Sequence, residues 1–155
     1  CWFTCLQVLM DEECEMSTQW IPPSECRSLA VLVETVIGQI LIQCKAPICL
    51  ELDIDTAIEV PADPERIVSL LETLVAQSLE EMEGGGDLTV TAYQSPVEVE
   101  LELADTGRDV EKRPKRLPIV AATIGASLSW QNCPQGGGAV TIRFPRQHQI
   151  QRVAA

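Results

Sequence analysis

The segment LELADTGRDV, residues 101–110, holds the chain's most suggestive polar residues. It reads as a strand running into Asp105-Thr106-Gly107, followed by Arg108 and Asp109. An aspartate at a strand end offers two acceptor oxygens, and a glycine two residues on lets a ligand or a second backbone come close. Taken alone, Asp-Thr-Gly is also a common turn signal. Directly downstream, EKRPKR (111–116) gathers Lys112, Arg113, Lys115 and Arg116. Such a run either supplies charge to an anion or, as charge runs usually do, forms a solvated connection.

Other chemistries find no support. His148 is the single histidine, so no Ser-His-Asp or Cys-His pair can be assembled, and no catalytic residue is assigned. Cys1, Cys5, Cys14, Cys26, Cys44, Cys49 and Cys133 form no C-x-x-C pair and lack metal-site spacing. They read as reduced, mostly buried thiols of a cytoplasmic protein. Glu98, Glu100 and Glu102 alternate with apolar residues, which marks the exposed face of a strand rather than an acid/base pair. Both glycine triplets, 84–86 and 136–138, read as turns, whereas a phosphate cradle sits where a strand feeds a helix N-terminus.

The elements that must position these residues follow from periodicity. Residues 1–13 carry Trp2, Leu6, Leu9 and Met10 at helical spacing; Pro22 and Pro23 then force an extended segment. Ser24 is placed to cap a buried helix reaching about Lys45. ICLELDI (48–54) alternates as a half-buried strand, with AIEV (57–60) as a continuation of the sheet after a turn. Asp63-Pro64 opens a helix whose core stripe is Ile67, Leu70, Leu71, Leu74 and Val75, and the first glycine triplet ends it. Strands follow at DLTVTAY and VEVELELA, then a short helix near IVAATIG, then strands SLSWQN and AVTIRF around CPQGGG. With no βαβ rhythm, the pattern predicts an α+β fold: a two-layer sandwich, its mostly antiparallel mixed sheet covered by helices on one face.

The totals narrow the partners. At 155 residues the chain fits one principal domain, and a net charge of −12 disfavours nucleic acid and anionic membrane surfaces. The most apolar run, from Leu29 to Cys44, is broken by Glu34, Gln39 and Gln43 and is too short for a membrane span.

From about Ser24 to Pro145, the order of these motifs resembles the ATP-binding domain of sensor histidine kinases, within the Bergerat-fold (GHKL) ATPases. DPERIVSLLETLVAQSLEEM follows the family's asparagine-rich helix, with Asp63, Arg66 and Ile67 in frame and Thr73 and Gln77 where two asparagines belong. A spacing of four puts both on one helix face. The resemblance implies that Gln77 is a weak Mg²⁺ candidate, one methylene longer than asparagine; the plain alternative is that Thr73 and Gln77 are polar surface residues. Asp105 and Gly107 match the family's D-x-G-x-G box, which implies that Asp105 accepts a hydrogen bond from adenine. Asp109 replaces the second glycine, adding bulk and negative charge. Where the family has a long lid ending in a glycine run, six residues (111–116) and no glycine remain. A threonine often follows the second glycine triplet in the family; Gly138-Ala139 supplies none.

The resemblance with its departures gives a domain plan: residues 1–20 as the end of a dimerisation helix and linker, 21–146 as the histidine kinase-like ATPase domain, and 147–155 as a tail. It implies ATP or ADP with Mg²⁺ as ligands, with no cofactor as the alternative. Candidate nucleotide-binding residues, vestigial in character, are Asp105, Gly107, Asp109, Thr73 and Gln77. The functional expectation is a degenerate ATP-binding domain of a signalling protein, acting through contacts with a response regulator or another signalling protein and forming a homodimer through its N-terminal helix. The alternative is an active catalytic domain of a histidine kinase, or of an anti-sigma-type serine kinase.

Overall fold

A computed structural model describes residues 21–146. The helix expected at 1–13, its dimer contact and the tail lie outside the described residues. After a 3-10 turn at Pro23–Glu25 come α1 (Leu29–Ile42), β1 (Ile48–Asp53), α2 (Pro64–Glu80), β2 (Gly86–Gln94), β3 (Glu98–Asp105), α3 (Ile119–Thr123), β4 (Ser127–Asn132) and β5 (Gly138–Pro145). The strands form one five-stranded sheet in the order β1-β2-β3-β5-β4. This is the α+β, helices-on-one-face arrangement that the periodicity predicts.

Three local expectations change. The first long helix starts at Leu29 rather than near Ser24, because Pro22 and Pro23 support only a 3-10 turn; Ser28 precedes it and donates its hydroxyl to Thr56 O rather than capping the helix. AIEV does not extend the sheet. It is clipped to the start of α1 by the hydrogen bonds Leu29 N to Ile58 O and Val60 N to Arg27 O. There is also one βαβ unit, since β1 pairs in parallel with β2 while every other pairing is antiparallel. A strand, a 17-residue helix and a second strand suffice for that crossover. Asp63 holds the N-cap position of α2, yet its carboxylate lies 3.5 Å from Arg66 instead of bonding the helix amides.

The core fills the space between the sheet and α1–α2. Ile67, Leu70, Leu71, Leu74 and Val75 of α2 are buried, as the stripe predicts, and meet Leu29, Leu32, Val33 and Ile37 of α1 and the odd-numbered residues of β3. Each such side chain contributes about 1.5–3 kcal/mol on burial. Leu128 and Trp130 of β4 pack against this core. Glu98, Glu100 and Glu102 lie on the opposite face, where Glu100 holds Arg143 at 2.9 Å.

Candidate functional site

The alternation that buries Val99, Leu101 and Leu103 also carries Asp105 to the core side of β3. Asp105 is 3% exposed, and its side chain, like that of Glu81, is almost wholly withdrawn from solvent. A buried carboxylate needs hydrogen bonds and a counter-charge. The amide of Gly107 donates to Oδ1 at 2.9 Å, closing an Asx turn. The counter-charge is Arg113: Nη2 donates to Oδ1 at 2.6 Å and Nη1 to Oδ2 at 2.8 Å. The Nε of Arg113 donates to Arg108 O at 2.7 Å. The result is a bidentate, charge-assisted pair, and the hydrogen bonds to Asp105 raise the Arg113 pKa above its ordinary value.

Two features of the sequence put Arg113 there. Val110–Lys112 forms a 3-10 turn that Asn132, at the end of β4, fastens from both sides. Asn132 Oδ1 accepts from Val110 N at 2.8 Å, and Nδ2 donates to the Glu111 carboxylate at 3.0 and 2.9 Å. The Asn132 bond holds the Glu111 carboxyl below the usual range. Arg113, extended ahead of Pro114, then turns inward. The second feature is Gly138. A Cβ at this position would lie 2.8 Å from both Cζ and Nη2 of Arg113, so the guanidinium occupies the space of a missing side chain. Its neighbour Gly137 has φ +93°, and a Cβ there would strike the backbone oxygen of Asp105. The glycine run thus supports the Asp105 turn as well as joining β4 to β5.

The rest of the segment is tied to the end of α2. A Cβ on Gly107 would lie 2.6 Å from Glu81 Cβ, so the 105–108 turn rests directly on the helix. Arg108 binds the Glu81 carboxylate at 2.6 and 3.1 Å. Arg116 reaches Glu80 at 3.3 Å, and Gln77 Nε2 donates to Arg116 O at 3.4 Å.

Between α2, this segment and the ends of β4 and β5 lies a cavity of about 350 Å³. Leu74, Val110, Pro114, Leu117, Trp130 and Val140 supply its apolar walls. Asp105 and Arg113 are on its wall, and Lys115 and Arg116 also line it. Cys133 feels the same surroundings: burial first, then the charges of Asp105 and Glu102, push its thiol up.

The structure brings Asp105 and Gln77 to one cavity and leaves the other candidates apart from its walls. Thr73 is exposed and donates its hydroxyl to Ser69 O at 3.0 Å, one turn back along α2. Gly107 faces Glu81. The Asp109 carboxylate lies 3.6 Å from Lys112. Mg²⁺ takes near-ideal octahedral oxygen ligands, most of them from waters and substrate phosphates. Gln77 donates its Nε2 to Arg116 O at 3.4 Å, which leaves its Oε1 as a single neutral oxygen for an ion, and the described residues contain no cluster of three or more His, Cys, Asp or Glu able to hold one. The residue that sequence reasoning missed is Arg113. Read as a solvated connection, the 111–116 run in fact turns one arginine inward onto Asp105. The available signal was the inward-facing aspartate at the end of β3 together with a glycine at position 138.

No family model and no curated protein matches the sequence. The fold, by contrast, matches solved structures well. The catalytic domain of the histidine kinase ThkA, in a nucleotide-free form, superposes with a TM-score of 0.65 at 18% identity, covering 77% of this chain and 94% of that one. The mycobacterial sensor histidine kinase MprB gives 0.63 at 15% identity, covering 76% and 95%. ThkA in complex with the response regulator protein TrrA gives 0.63 at 18% identity, covering 79% of this chain and 42% of that one. At such identities the likeness is one of fold: this chain has the fold of a histidine kinase catalytic domain. Among the described residues, no helix is long and apolar enough to cross a membrane.

Proposed function

We propose that this chain is a histidine kinase-type domain of a cytoplasmic signalling protein whose nucleotide site is impaired, and that it works through protein contacts. One observation carries the reading. The carboxylate that would receive adenine already holds a guanidinium on both oxygens and a backbone amide on one of them. Adenine would have to displace charge-assisted bonds and leave Arg113 to find water, in exchange for a neutral hydrogen bond of about half the strength. The partner in this reading is a response regulator or a related signalling protein, by analogy with ThkA, part of which shares this fold in a structure with the response regulator protein TrrA.

A second reading has its own support, because a cavity persists beside Asp105 and basic residues line it. In an active catalytic domain Arg113 would swing away and Lys115 or Arg116 would meet phosphate. Calorimetry with ADP and a non-hydrolysable ATP analogue, with and without Mg²⁺, separates the two. The impaired site predicts no heat of binding at millimolar nucleotide from a folded protein; magnesium-dependent micromolar binding would overturn it.

A further inference from the structure

Resting on the reading that Arg113 closes the adenine end, we propose that the remaining cavity binds a small carboxylic acid with a flat apolar body, its carboxylate turned toward Arg113 and Lys115.

The pairing inverts the polarity of the pocket. A bare Asp105 asks a guest for an N–H donor. Paired, it presents a guanidinium instead. Of the five N–H donors of Arg113, one meets Arg108 O and two meet Asp105; the two that remain point from opposite edges of the guanidinium, so one at most can serve a guest. The acidic residues on the wall are all neutralised: Asp105 by Arg113, Glu80 by Arg116 and Glu81 by Arg108. Lys115 lines the cavity and forms no ion pair among the described residues. The uncompensated charge of the lining is therefore positive. A small anion alone would leave the walls of Leu74, Val110, Leu117, Trp130 and Val140 uncovered, so the guest must also carry an apolar body. The volume, about 350 Å³, is at the small end for ligand pockets and suits an aromatic acid better than a nucleotide with its phosphates.

The test is calorimetry of the full chain with 2-naphthoate, with the neutral isostere 2-naphthamide alongside. The acid should bind and the amide should bind about tenfold more weakly, the size of one lost charge-assisted hydrogen bond. Lys115→Gln, an exposed change that leaves the fold intact, should weaken the acid several-fold and leave the amide unmoved. Val110→Trp should remove binding of both by filling the cavity. Equal affinity for acid and amide, no binding of either by folded protein, or acid binding indifferent to Val110→Trp would each overturn the proposal. Titrating ADP in parallel keeps the two readings apart. Uptake of ADP by the wild-type chain contradicts the impaired nucleotide site whatever naphthoate does, and failure of the naphthoate arms contradicts the acid site whatever ADP does.

Discussion

Of the three arginine–carboxylate pairs that, among the described residues, fasten the segment after β3, two have little in common beyond their chemistry. In the first, Arg113 and Asp105, the side chains are 13% and 1% exposed; in the second, Arg116 and Glu80, they are 58% and 56% exposed. Water screens the second pair and competes for its hydrogen bonds, so it holds the chain loosely. The side chains of the first pair are almost wholly withdrawn from solvent, so each depends on the other. Burial, more than ion-pair formation, makes Arg113 part of the domain's interior and Arg116 part of its surface.

The difference can be broken at the buried end first. Arg113→Met leaves a buried, unpaired carboxylate and should cost about 3 kcal/mol in urea unfolding. Adding Asp105→Leu should recover most of that loss, because no charge is then left unpaired. If the single variant is as stable as the wild type, the pair is not buried as described.

Gly138→Thr comes next. Its Cβ falls where the guanidinium lies, so the change should displace Arg113 and cost about 2 kcal/mol, the usual size of overpacking. It should also raise ADP affinity above that of the wild type in calorimetry, since Asp105 is released. A stable variant with unchanged nucleotide behaviour would mean that Gly138 does not make room for Arg113.

Asn132→Ala tests the fastening of the 3-10 turn and should cost about 1 kcal/mol. Its pH dependence carries a sign. Asn132 lowers the Glu111 pKa in the folded state, so this contribution is present above the ordinary carboxylate value and is lost as pH falls through the lowered one. The stability gap between wild type and Asn132→Ala should therefore narrow in acid, as chemical denaturation at a series of pH values would show. A gap that widens in acid would contradict the assignment. At the surface end, Arg116→Ala should cost no more than about 0.5 kcal/mol, and a loss comparable to that of Arg113→Met would erase the comparison.

How much of this was legible in the sequence follows the same division. Ile67, Leu70, Leu71, Leu74 and Val75 declare α2 because a single helical period decides their burial. The alternation of Val99, Leu101 and Leu103 declares β3 and even implies that Asp105 points inward. The position of Arg113 depends on a partner eight residues back, a turn pinned by Asn132 and a space left by Gly138 on another strand. None of these is periodic or local. The parallel pairing of β1 with β2 escaped for a similar reason, since strand partners are chosen through the core rather than along the chain. AIEV, strand-like by composition, was taken up by the start of α1 instead.

The most direct test of the account is the ¹⁵N side-chain NMR signal of Arg113, assigned by comparison with Arg113→Met. A guanidinium locked onto Asp105, with its Nε–H donated to Arg108 O, should show a slowly exchanging Nε–H that does not shift when millimolar ADP is added. An Nε–H in fast exchange with water, or one that moves as ADP saturates at micromolar concentration, would contradict it and return the pocket to nucleotide.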